Sequence, residues 1–146
     1  MVNKDFFIKN KIINQHMIDG KKVLCEQFFL KNCKILQKTT TKNHEYILKL
    51  AIVNAASVIL TKKIEIKNRK KIKEFPFLVN KKNRVALSIK SIMRSLKMCS
   101  ENYRIKTLSS ELLLNAQNKS FVSKEKKDTQ KKALIKKKYT FFRWFC

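Results

Sequence analysis

The chain has 146 residues, 44% of them hydrophobic, and carries a formal net charge of +25. Its length fits one domain, since most domains run to roughly 100–150 residues, and its apolar content excludes a disordered tail. The charge excludes a self-sufficient free monomer, because a surface this basic repels itself until a polyanion, most naturally phosphate, neutralises it.

Hydrophobic spacing predicts a first helix from Lys4 to Ile18, with Phe6, Ile8, Ile12, Ile13 and Met17 as its apolar positions. It stops at Asp19-Gly20, where the only glycine of the chain can adopt the left-handed conformation that ends a helix. A second helix runs to about Lys38, with Cys25, Phe29, Cys33 and Leu36 on one stripe and Leu24 and Phe28 beside it. The polar run KTTTKN is a loop that supplies Thr41 or Asn43 as a cap for the third helix. That helix is expected to reach about Leu60, apolar nearly all round and the most buried element.

From Ile64 to Lys82 the period changes. Ile64, Ile66, Phe75, Phe77 and Val79 recur at every second residue, the signature of half-exposed strands, around the cationic run KNRKKIK. Pro76 removes a ladder donor and suits an edge strand. The expectation is a two-stranded ribbon over about 64–82 with a basic tip, mounted on helices because an isolated hairpin is only marginally stable.

Helical spacing returns at Val85, Ile89, Ile92 and Leu96, with Lys90, Arg94 and Lys97 as a basic stripe on another face. SENYR makes a break. Ile105, Leu108, Leu112 and Ala116 mark a fifth helix that ends near Asn118-Lys119-Ser120. A basic helix and tail over about 121–146 complete the chain, anchored by Val122, Ala133, Leu134 and Ile135 and closing on Phe141, Phe142, Arg143, Trp144 and Phe145. The predicted fold class is mainly α: one domain over 1–146, five to six helices with a protruding two-stranded β-ribbon.

Little in the chain suggests catalysis. His16 and His44 have no partner pattern, one glycine cannot build a phosphate loop, and Cys25, Cys33, Cys99 and Cys146 lack metal-ligand spacing. The reading is a non-enzyme without cofactor or metal, its thiols free in a reducing compartment. No stretch reaches the roughly 20 apolar residues of a membrane span, so no membrane insertion is expected. The start MVNKDFFIKN matches neither a secretory signal nor a transit peptide. Of the 35 basic residues 30 are Lys, which acts on phosphate as a point charge. That composition favours gripping a nucleic-acid backbone over reading base edges. Phe75 and Phe77 fit the body-facing side of the ribbon better than base stacking, and Trp144 could either dock the tail or stack on RNA.

Four fragments in order resemble one family, the universal small-subunit ribosomal protein S-seven. Met17-Ile18-Asp19-Gly20-Lys21-Lys22 is similar to its M-x-D-G-K-K turn, and Ile64-Glu65-Ile66-Lys67-Asn68-Arg69 to its V-E-V-K-x-R ribbon. Arg84, Ala86 and Leu87 are similar to its R-x-A-L. Glu111-Leu112, Ala116, Asn118-Lys119, Lys124, Ala133 and Arg143-Trp144 follow its closing pattern. The Gly-Gly pair usual at the family's ribbon tip is absent, and its last-helix histidine corresponds to Gln130.

The resemblance implies a helical bundle with a projecting ribbon that binds the 3′ major (head) domain of small-subunit ribosomal RNA. It also implies a part in head assembly and a place along the exit-site transfer RNA and messenger RNA channel, beside neighbouring head and platform ribosomal proteins. By position it implies RNA contact at Lys21, Lys22, Lys67, Arg69, Arg84, Lys119, Lys124 and Arg143. The charge at the ribbon tip adds Lys70, Lys71 and Lys73, and Trp144 joins as a contact candidate. The heavy use of Lys, Asn, Ile and Phe and the extended MCSENYRIK segment point to a mitochondrial ribosome in the matrix, with a plastid ribosome as the alternative. The rival function is a helical DNA-binding regulator that places a basic helix in the major groove.

Overall fold

The computed structural model describes residues 4–17, 19–41, 43–66, 71–98 and 104–145, with side chains at 8–17, 19–41, 43–63, 74–97 and 108–141. Six α-helices are seen: α1 Lys4–His16, α2 Lys22–Thr39, α3 His44–Ala55, α4 Lys81–Met98, α5 Arg104–Ala116 and α6 Phe121–Ile135. Strands β1 (Ile59–Ile66) and β2 (Lys71–Leu78) lie between α3 and α4, and a 3₁₀ helix over Lys137–Phe145 closes the chain. This is the expected mainly helical architecture with one two-stranded antiparallel ribbon.

Every helix contributes to one core. Ile12 of α1, Phe29, Cys33 and Leu36 of α2, and Leu48, Ala51, Ile52 and Ala55 of α3 belong to it. Ile89, Ile92 and Met93 of α4, Leu108 and Leu112 of α5, and Val122 of α6 complete it. The spacings of three and four residues put each set on one helix face, which drives the bundle together by removing apolar surface from water. Between α1 and α2, Asp19 and Gly20 both take left-handed backbone angles, φ 53° and 71°. Asn43 caps α3 through its side chain, which accepts from the Glu45 amide. The end of α5 forms a Schellman motif: Asn118 sits at φ 59°, and the amides of Asn118 and Lys119 donate to the carbonyls of Asn115 and Leu114.

Three expectations need correction. The third helix stops at Ala55, not near Leu60, so the ribbon begins at Ile59 and ends at Leu78. Ser57 explains the stop: its hydroxyl donates to the Ile59 carbonyl at 2.7 Å, a local bond that competes with helix, and β-branched Val58, Ile59 and Thr61 then favour extended backbone. Nor is α3 buried all round, since Tyr46 and Val53 are exposed. In α6, Val122 and Ala133 are buried as expected, but Leu134 and Ile135 are 70% and 78% exposed.

The ribbon pairs Ile59 with Leu78 through to Ile66 with Lys71. It leans on α6 and the closing 3₁₀ helix. Phe75 is buried and Phe77 half-buried, in agreement with a body-facing aromatic pair.

Candidate nucleic-acid interface

Lys21 and Lys22 stand exposed where the α1–α2 turn enters α2. Lys22 pairs with Glu26 one turn on, at 3.9 Å, a contact too exposed to hold it firmly. Lys119 and Lys124 are exposed on either side of the α6 N-terminus, whose cap is Ser120 accepting from the Ser123 amide. The positive end of the helix dipole adds to both ammonium groups, so this corner attracts anions.

Arg84, in the first turn of α4, is half-buried, and its Nε donates to the Val79 carbonyl at 2.9 Å. That bond fixes the guanidinium at the base of the ribbon. Lys71 and Lys73 lie in β2 opposite Ile66 and Ile64, though their side chains are outside the described residues. Lys67, Arg69 and Lys70 are also outside them. Arg143 and Trp144 belong to the closing 3₁₀ helix, which packs on β2, and their side chains too are undescribed. The structure thus brings the tail to the ribbon, with Arg84 at its base. The turn carrying Lys21 and Lys22 belongs to the α1–α2 pair, which packs on α4 and α5.

The basic stripe of α4 is confirmed as exposed at Lys90, Arg94 and Lys97, and Arg94 pairs with Glu125 of α6 at 3.6 Å. Sequence reading missed two other cations. Lys136 pairs with Glu74 of β2, which also holds Lys63 of β1 at 3.5 Å, so one carboxylate ties both strands to the end of α6. Lys126 donates to the Asn54 carbonyl at 2.9 Å, and burial pulls its ammonium below the ordinary lysine pKa. Isolated acidic residues inside a basic chain were the available signal for the first. The second has none in the sequence, because it depends on where α3 ends.

The histidines have packing roles. His16 sits 4.6 Å from the Phe28 ring, and His44 Nδ1 is 3.0 Å from Gln37 Nε2. Among the described residues no group of three His, Cys, Asp or Glu could hold a metal. No helix among them is long and apolar enough to cross a membrane.

The family described as Ribosomal protein S7p/S5e matches residues 2–137, a stretch that takes in all six helices and the ribbon. Arg143 and Trp144 lie beyond the matched stretch. The small ribosomal subunit protein uS7 of Mycoplasma mobile is 30% identical over 138 residues, covering 92% of this chain and 85% of that protein. The uS7 proteins of Desulfatibacillum aliphaticivorans and Oleidesulfovibrio alaskensis are 31% and 28% identical over 137 residues, with the same coverage. An exposed basic turn, a ribbon and a capped basic helix in this order and at this reach leave one conclusion: the chain belongs to the ribosomal protein S7p/S5e family.

Proposed function

We propose that this protein is a structural constituent of the small ribosomal subunit that binds the 3′ major domain of the small-subunit RNA and supports assembly of the head. Its family is structural and not enzymatic, and family membership over residues 2–137 is the observation that carries the reading. Charge supports it. Exposed lysines occur at the α1–α2 turn, at the α5–α6 junction and along α4, suited to neutralising phosphates of a folded RNA that touches several elements.

The finer reading places Lys21, Lys22, Arg84, Lys119 and Lys124 on phosphates, together with Lys67, Arg69, Lys70, Lys71, Lys73 and Arg143. The ribbon reaches toward the channel of exit-site transfer RNA and messenger RNA, Trp144 is a contact candidate in the tail, and neighbouring head and platform proteins adjoin the bundle. The bias toward Lys, Asn, Ile and Phe supports an organelle ribosome, and the extended MCSENYRIK segment favours a mitochondrial one ahead of a plastid one.

Sedimentation of an organelle lysate before and after a high-salt wash tests the assignment. The protein is expected to stay with the small subunit through the wash. Release to the top of the gradient, or migration with DNA, would overturn it in favour of the DNA-binding regulator. Purified protein should likewise prefer a folded multihelix RNA junction to duplex DNA of equal charge, and equal affinity would count against the reading.

A further inference from the structure

A cleft opens where the base of the ribbon meets α4 and α6. Its volume is about 220 Å³, below the roughly 300–1,000 Å³ of pockets that take drug-sized ligands, so it limits a guest to one ring system. Leu60, Leu87 and Val122 supply an apolar wall, the surface against which a flat aromatic ring loses water favourably.

The polar lining has a definite polarity. Ser57 Oγ donates to the Ile59 carbonyl, Ser88 Oγ to Val85, Ser91 Oγ to Leu87 and Thr129 Oγ1 to Lys126. Each hydroxyl proton is therefore engaged on the backbone, and what these oxygens offer a guest is lone pairs. A guest that fits presents N–H donors. The cations complement this. Lys126 Nζ makes one hydrogen bond among the described residues, to Asn54, leaving donor capacity for an acceptor at the cleft. Arg94 and Glu125, paired at 3.6 Å, both line the cleft, and the exposed pair is loose enough for the guanidinium to turn to a phosphate.

An apolar wall, hydroxyl acceptors and adjacent cations match the parts of an unpaired nucleotide: ring face, amino edge and phosphate. We infer that this cleft seats one unpaired amino-bearing nucleobase of the bound RNA, with Ser91 and Thr129 accepting from its amino group and Arg94 and Lys126 facing its phosphate. The inference rests on the RNA-binding reading but adds a base-selective site to a protein otherwise expected to hold backbone. Uracil presents a single N3–H where an amino group presents two N–H donors, so it cannot serve both hydroxyl acceptors at once. It should bind less well by about five- to tenfold, the lower part of the range for a lost pair of base-edge bonds.

The test is a methyl-resonance titration of the full chain with adenosine 5′-monophosphate and, separately, uridine 5′-monophosphate. The purine should shift the methyl signals of Leu60, Leu87 and Val122 by its ring current, at concentrations about five- to tenfold lower than uridylate needs. Leu87→Trp plugs the cleft from a position that is 39% exposed and so leaves the fold intact. It should remove the shifts while binding of the 3′ major domain RNA falls by less than about threefold, since phosphate contacts elsewhere dominate affinity. The double variant Ser91→Ala/Thr129→Val should reduce the preference for adenylate by about twofold or more, leaving what the larger purine ring gains against the apolar wall. Absence of methyl shifts at millimolar adenylate, with RNA binding intact, would overturn the cleft assignment alone. Equal response to adenylate and uridylate in the unaltered chain would overturn its base selectivity. Failure to bind any RNA would take both readings down.

Discussion

Asn115 is fully buried yet polar, and its partners explain why it is tolerated. Its Nδ2 donates to the carbonyl and Oε1 of Glu111 at 3.0 and 3.1 Å, while its Oδ1 accepts from Ser120 Oγ at 2.7 Å. Ser95 Oγ of α4 reaches the same carboxylate at 3.2 Å, and Asn54 Nδ2 of α3 donates to the carbonyls of Asn115 and Ala116. Four helices thus meet in one hydrogen-bonded knot. Replacing Asn115 with Ala would strand Ser120 and part of Glu111 in the interior, at a cost of about 2 kcal/mol. Urea unfolding should show a lower midpoint at unchanged slope. Cys33 offers a second residue-scale check. Burial is the main cause that pushes its thiol up to about 11, a rise the Lys9 charge partly opposes. The thiolate therefore forms in the folded state only as pH approaches about 11, so Cys33 should resist iodoacetamide at pH 8 while half-buried Cys25 reacts faster. Peptide mass mapping after timed alkylation reads the difference, and equal rates would mean the α2 face is open.

At the scale of elements, the helices were largely legible in the sequence and the junctions were not. Spacings of three and four residues depend only on the chain's own periodicity, so α1, α2, α4 and α5 were expected in place. Their ends differ: α4 starts at Lys81, inside the stretch read as ribbon, and α1 and α5 end two or more residues early. The end of α3 was missed because VILT reads equally well as the apolar end of a helix or the start of a strand. Ser57 decided it through a bond that pattern reading does not see. Leu134 and Ile135 were expected as anchors, but Leu134 lines an open groove with Ile59, Pro76, Leu78 and Phe141 instead, and Ile135 stays exposed. Two further expectations belong here. Glu74 holds Lys63 and Lys136, so Glu74→Gln should loosen the ribbon against α6 and cost about 1 kcal/mol or less, given the exposure of Lys63. The loss should vanish in high salt, which screens such pairs, and hydrogen exchange along β2 is the measurement. Replacing Lys67, Arg69, Lys70 and Lys71 with Ser should weaken RNA binding with helical circular dichroism unchanged. A collapse of helical signal would mean that the tip supports the core.

For the molecule as a whole, the question is whether its separated basic patches hold one RNA at once. The lysine excess that announces a polyanion was plain in the sequence, as was the family, carried by short fragments at the Asp19-Gly20 turn and the α5–α6 junction. What composition alone could not convey is that the acidic residues are used locally: Glu26, Glu74 and Glu125 each sit against cations on neighbouring turns or elements. Lys21, Lys119 and Lys124 have no ion pair among the described residues, which leaves them available for phosphate. The lysines of the α1–α2 turn and those of the α5–α6 junction share no hydrogen bond or ion pair among the described residues, so losses from altering them should add. Lys21→Ser with Lys22→Ser should lower the salt slope of RNA affinity by about 1.4–1.8 if each lysine neutralises one phosphate, and Lys119→Ser with Lys124→Ser should do the same. Combining all four should double the change in both slope and binding free energy. Filter binding of the 3′ major domain RNA across a salt series measures it. If the fourfold variant binds no worse than either pair, the two patches do not engage one RNA together, and the bundle grips from a single side.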